Sequence, residues 1–576
     1  MNHRLLRVGA KLVPPSVQAR RVEERLRAET EAAERRRVER VAARRRALLA
    51  GDSAIREIEV AGRSWFGRTM ASFTAAGAAD HNLELVVAAL THAEIEYFVV
   101  PGRSPLRHVL GIRLEARKRL LKALRELYDS GALYAALPTK ELLPREAGLY
   151  ADGALPAAVK RADTIRFGEL LLGPDGQLLG SLEFGCDVEF WRDGAQVVGT
   201  PRFTELRSQA PVSVVEKGLV APRLNAVSDV LPEGSATAVR VIAGREHPTF
   251  ADFVRPRIDE VDFPIDVVYT WVDGSDPELA GRREHFRSGG TAPIHARETG
   301  ASRYTSHDEL RYSLRSLDMY AGFVRTVYLV TDGQTPDWLD QEAAGIKVIH
   351  HKEIFADPQV LPVFNSHAIG TQLHRIPGLS QRYLYFNDDV FVGRPIAPGH
   401  FFHGNGVAKI PFSPAQLGLG LPHPDEPAPN SAGKNVRRLL MEAHGRFSVH
   451  KFMHTPHPQM REVMEEIESR FPAEVQQTSA SRFRAVTDIA MGASLHHHQA
   501  YLTGRAVPGK FKLRYIDVAS EDAFDKMTSL AEERRFDFFC LNDVNTPQDR
   551  QEEIARRMSD FLQSYFPFPS RFERKG

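Results

Sequence analysis

Residues 382–390 read "RYLYFNDDV". Tyr383 to Phe386 form an unbroken apolar run, short enough for a strand and suited to a sheet covered on both faces. The run stops on Asn387, Asp388 and Asp389, two of them adjacent carboxylates whose mutual repulsion calls for a proton or a cation. Three upstream runs repeat the pattern: "IDVVYTWVDG" (265–274), "TVYLVTDG" (326–333) and "KVIHH" (347–351), with helical spacing between several of them. That alternation predicts an open, mainly parallel α/β sheet. Three of the runs end in acidic turn residues: Asp273-Gly274, Asp332-Gly333 and Asp388-Asp389. Ligands of such sheets gather beyond the carboxyl ends of the strands, so these carboxylates are expected to converge on one crevice.

The chain around this sheet has 576 residues, 43% of them hydrophobic, enough for two or three domains. Its net charge of +1 gives no overall field for nucleic acid, and two distant cysteines indicate neither a disulfide framework nor a cysteine-based zinc site. The charge is uneven: residues 1–50 carry 14 Lys or Arg against 6 Asp or Glu. Residues 20–51 lack Pro, are rich in Ala, Glu and Arg, and read as one long solvated helix; the other reading is an arm for an anionic membrane surface. Between 55 and 255 the runs "IEYFVVPG" (95–102) and "ALYAALPT" (132–139) read as strands around an amphipathic helix, and 168–191 as hairpins at a Pro-Asp-Gly turn. The expected organisation is a basic arm (1–54), an α+β accessory domain (55–255) and a catalytic domain (256–576). No run of about 18 apolar residues offers a membrane span, and the start lacks a signal peptide's apolar core. A cytoplasmic protein is expected, with peripheral contact at the inner face of the membrane left open.

Clustered carboxylates at a strand end suit a hard divalent ion, Mg²⁺ or Mn²⁺, when the substrate is a phosphate. In "FNSHAIGTQLHRI" (364–376), helical spacing puts Ile369, Leu373 and Ile376 on one stripe and His367, Thr371 and His374 nearly opposite. The two imidazoles and Arg375 are then candidates for a general base and phosphate ligands. In "SRYTSHDELRYSLRSL" (302–317), a capping box of Ser306 with Glu309 predicts a helix start, with Arg311 and Arg315 on a polar stripe suited to phosphate. Further on stand His454, His457, Arg484 and Asp488, and a second amide–acid pair, Asn542-Asp543. The triplet His496–His498 lacks partnered spacing and is expected to be exposed. There is no activated Ser or Cys, no P-loop and no clear GxGxxG, a composition that suits metal-assisted transfer of a phosphate-bearing group.

Four segments carry a family resemblance: "DVVYTWVDGSDP" (266–277), residues 303–339, residues 364–393 and "FFCLNDVN" (538–545) closely resemble the four conserved regions of the Stealth proteins. That resemblance implies a GT-A-like, Rossmann-type catalytic fold, a UDP-sugar donor, a glycan acceptor and transfer of sugar 1-phosphate with release of UMP. No nucleic acid partner is expected from the near-neutral charge, and the oligomeric state is left open. On this basis Asp388 and Asp389, with Asp273 as a third candidate, would hold the metal. His367 or His374 would act as base, and Arg375, Arg311, Arg315 and Arg484 would grip phosphate. Trp271, Asp273, Gly274 and Asp276 would lie near the nucleotide, with Asn387, His454 and Asp488 as supporting residues. Two other readings remain: a metal-dependent glycosyltransferase releasing UDP, and a non-catalytic carbohydrate-binding or polysaccharide-assembly protein.

Overall fold

The computed structural model describes residues 15–139, 141–288, 307–543 and 546–575. The four runs singled out above become strands β1 (Ile265–Thr270), β2 (Val324–Thr331), β3 (Ile346–His350) and β4 (Arg382–Asn387). Two further strands follow β4 in sequence, β5 (Val390–Val392) and β6 (His457–Met460). The sheet runs β3-β2-β1-β4-β6, with the first four strands parallel and β6 antiparallel at the edge. The unbroken apolar run of β4 is explained by cover on both faces. Leu384 and Phe386 pack with Val267 and Tyr269 in the largest core, while Tyr383 and Tyr385 pack with Val268, Ala368 and Leu373 in a second one.

β5 leaves this sheet two residues after β4 and joins a smaller one with β7 (Leu513–Asp517) and β8 (Phe538–Asn542), in the order β5-β8-β7. Asp388 and Asp389 are therefore the whole link from β4 in one sheet to β5 in the other. A helix, Glu309–Tyr320, lies against β5: Ser313 Oγ donates to Val390 O at 2.6 Å, and Val392 N donates to Ser316 Oγ at 2.9 Å. Its Leu310, Leu314 and Leu317 face the core as their spacing predicts. Ser306 of the expected capping box lies outside the described residues; Glu309 is the first helical residue and accepts instead from the backbone N–H of His307.

Residues 15–51 form one helix whose Val22, Leu26 and Val38 are well over half exposed, with Arg–Glu pairs one turn apart such as Arg25–Glu29. Only its last turns dock, through buried Leu48 and the Arg45–Asp152 ion pair. The segments read as strands and helix appear at Phe98–Val100, Tyr134–Ala136 and Arg117–Tyr128. The Pro-Asp-Gly turn joins the antiparallel strands Leu170–Leu172 and Leu178–Gly180, with Gly176 at φ +86°, a conformation that glycine adopts without strain. This part is not packed separately: Phe73 and Phe184 enter the same core as β1 and β4, and Phe73 meets Tyr320 edge-on at 6.3 Å.

Candidate active site

The end of β4 organises the site. The Asp389 carboxylate is gripped from three sides: His454 Nε2 at 3.2 Å, the Asn542 side-chain amide at 3.0 Å and the Cys540 thiol at 3.3 Å. β8 supplies two of these because it pairs antiparallel with β5, setting Cys540 opposite Val390. Burial would push the Asp389 carboxyl up, but the His454 charge and these hydrogen bonds outweigh it and hold it down. Burial also works against a charged His454, yet Asp389 beside it raises that imidazole overall. The amide of Asn387 meets the same His454 nitrogen at 3.1 Å.

Asp388 has the opposite environment. Burial, then the nearby Asp389 and Glu309 carboxylates, push it up to about 8. Glu309, itself raised by burial, is thus a third acid at this spot. Sequence reasoning read Glu309 as a helix cap only, and Cys540 as part of neither a disulfide nor a cysteine-based zinc site. The ligand atoms of Asp389, His454 and Cys540 lie within 4.8 Å of one another. Burial and Asp389 raise the Cys540 thiol well above its ordinary value, in keeping with its S–H donating to Asp389 Oδ2. The remaining oxygen donors, crowded carboxylates that repel, fit a hard divalent cation.

Beside this cluster opens a cavity of about 290 Å³ lined by Tyr385, Asn387, His454, His367 and Arg484, among others. His367 sits one residue inside a short helix, Ser366–Gly370, capped by Asn365. Behind it, fully buried Asp488 lies 3.5 Å from His367 Nδ1 and accepts from the Asn365 amide and the Ala485 N–H. Arg484 donates to Ser366 Oγ at 2.7 Å. The segments around 366 and 484, distant in sequence, thereby form one wall.

Other expected residues stand elsewhere. The helix begun at Ser366 ends at Gly370 and resumes as a 3₁₀ turn, Leu373–Arg375, so His367, Thr371 and His374 do not share a face. His374 and Arg375 both bind Glu468, and neither lines the cavity. Arg311 and Arg315 bind Glu573, Arg315 through both carboxylate oxygens at 2.7 and 2.9 Å, and tie the helix to the chain's last residues. Asp273 holds its own turn through the N–H and hydroxyl of Ser275, Asp276 accepts from Gln334, and Asp332 pairs with Arg282. The acidic tips of β1 and β2 thus take local partners, and the carboxylates that crowd together are those at the end of β4. Trp271 continues β1 with a backbone bond to Val330 and packs on the core, next to the Asp273-Gly274 turn.

The His496–His498 triplet is buried, not exposed: His496 and His497 are wholly enclosed and His498 nearly so. Long-range packing against β6 and Phe452 decides this, which local spacing does not report.

Comparison with known proteins identifies the family. Models of Stealth conserved regions 1, 2, 3 and 4 match residues 263–290, 303–410, 453–501 and 529–576. An exopolysaccharide phosphotransferase of Streptomyces coelicolor is 40% identical over 501 residues, covering 87% of this chain and 83% of that one. The chain belongs to the Stealth family. A second Stealth relative, exopolysaccharide phosphotransferase CpsY of Mycobacterium tuberculosis, is 33% identical over 523 residues, covering 90% of this chain and 93% of its own. This Stealth protein is a phosphotransferase, a transferase of phosphorus-containing groups. Among solved structures, mouse xyloside xylosyltransferase 1 in its apo form aligns with 49% of this chain and 99% of its own at 11% identity and a TM-score of 0.25, a likeness too slight to argue from. No helix among the described residues is long and apolar enough to cross a membrane.

Proposed function

We propose that this Stealth protein moves sugar 1-phosphate from a UDP-sugar to a glycan hydroxyl during exopolysaccharide synthesis, on a GT-A-like catalytic domain. In this reaction the acceptor oxygen bonds to the sugar-bound β-phosphorus, the bond from that phosphorus to the bridging oxygen breaks, and UMP leaves. The acceptor proton needs a base, and His367 is our choice, because it faces the cavity with buried Asp488 behind its Nδ1. That pairing carries the reading: an anion behind the ring favours the imidazolium that forms as the proton is taken. Arg484 on the same wall offers charge-assisted hydrogen bonds to the phosphates. Asn387 and His454 line the side of the cavity nearest the acidic pair. Mg²⁺ or Mn²⁺ held by Asp388 and Asp389 would neutralise charge on the pyrophosphate. Asp273 is not needed for this site, and His374 is not its base.

The test is incubation with a panel of UDP-hexoses and UDP-N-acetylhexosamines, Mg²⁺ or Mn²⁺ and glycan acceptors, followed by phosphorus NMR and nucleotide analysis. A phosphodiester signal with UMP is expected. UDP in place of UMP would make the protein a glycosyltransferase, and donor binding without turnover would make it a binding protein.

A further inference from the structure

Three buried histidines, one in the cavity wall and two behind it, form a chain whose proton positions follow from its far end. The backbone N–H of Met460 can only donate, and it meets His496 Nε2 at 2.8 Å. That nitrogen must therefore be the bare one, and the ring proton of His496 sits on Nδ1. Its partner is His497 Nδ1 at 3.4 Å, which has to accept. The proton of His497 is then on Nε2, 2.9 Å from His457 Nδ1, which accepts in turn. His457 is left with its proton on Nε2.

His457 is 6% exposed, lines the cavity and stacks on Tyr385 with ring centroids 6.3 Å apart. Its Nδ1 is occupied by His497, and among the described residues its Nε2 has no hydrogen-bond partner. All three rings stay neutral at ordinary pH, since burial pushes His457 and His496 down to about 3 and His497 well below its usual value. We infer that His457 is a substrate-binding residue, a neutral Nε2–H donor held in one tautomer by His497 and His496 and aimed at an acceptor oxygen of the sugar nucleotide, phosphoryl or carbonyl. This deepens the reading of the same cavity as a sugar-nucleotide site and rests on it. His496 and His497 act through His457 and are positioning residues. A ring free to flip or change tautomer would present a donor only part of the time; the relay removes that loss before substrate arrives.

Nitrogen-15 NMR of the ring nitrogens in the full chain reads the tautomer directly, without any substitution. A proton on Nε2 and a bare Nδ1 are expected for His457; a proton on Nδ1, or on both, overturns the relay whatever reaction the enzyme catalyses. UDP-glucose and UDP-N-acetylglucosamine, added separately, are expected to move the His457 Nε2–H resonance downfield; no movement with either overturns the binding role while leaving the tautomer standing. Among variants, His457→Gln places an amide N–H near the position of Nε2 and is expected to keep donor KM within about threefold. His457→Phe and His497→Phe are expected to raise KM roughly tenfold with little change in kcat. Equal KM for Gln and Phe at 457, in proteins with unchanged melting temperature, overturns the proposal.

Discussion

At the scale of single residues, two side chains of one type receive opposite tasks from their neighbours. Asp389 is saturated with donors and stays ionised, whereas Asp388, one residue earlier, faces other acids and is pushed up to about 8. A cation would relieve that repulsion, so Asp388→Asn or Asp389→Asn is expected to weaken Mn²⁺ binding at least tenfold by calorimetry; unchanged affinity would remove the pair from the metal site. For His367, replacement by Ala is expected to lower turnover about a hundredfold or more with donor affinity nearly intact. Asp488→Asn is expected to follow the same pattern, because it removes the anion behind the ring. Normal turnover in both variants would exclude the dyad from proton transfer. These identities were visible in the sequence as individual acids and imidazoles. Their pairing was not, since His367 and Asp488 are 121 positions apart and meet only when the segment around 484 folds over the short helix at 366.

At the scale of elements, the polar stripes predicted from spacing exist but serve structure. Arg311 and Arg315 reach Glu573, and His374 and Arg375 reach Glu468 on the helix Arg461–Arg470. The His374 hydrogen bond, aided by Arg375, holds the Glu468 carboxyl down to about 2 from an ordinary value of 4.5. A depressed acid stabilises the fold fully above its unfolded pKa, and that contribution fades as pH falls toward the folded one. The melting difference between the parent protein and Glu468→Gln is therefore expected to be constant above about pH 4.5, worth about 1–2 kcal/mol given its partial exposure, and to close between about 4.5 and 2. A difference that persists at the acid end would contradict the clamp. The helix of residues 15–51 shows the converse: the lack of Pro, the Ala, Glu and Arg content and the closing Gly announced it, while its exposed Arg and Glu carry no packing information. If it serves as a membrane arm, the reading that the sequence leaves open beside a solvated helix, the full chain should sediment with anionic liposomes at low salt and a chain starting at residue 55 should not; equal sedimentation would end that idea.

At the scale of the whole molecule, residues on both sides of position 255 share one core. Phe73 and Phe184 pack with Tyr320 and the strands of the catalytic sheet. Phe73→Ala is expected to cost about 3–5 kcal/mol and to lower a single cooperative unfolding transition in urea, and residues 256–576 expressed alone are expected to aggregate through the uncovered surface. Two separate transitions would show that the parts fold independently. By itself the sequence marked the four parallel strands, because short apolar runs bounded by turn signals and rich in β-branched and aromatic residues suit a sheet buried on both faces, and it marked β4 as the strand that ends in charge. Tertiary structure alone decided which charged and imidazole groups face the cavity, since each takes the partner that best repays its desolvation, and those partners, Glu573, Glu468, Asp488 and the His496–His497 pair, arrive from remote parts of the chain.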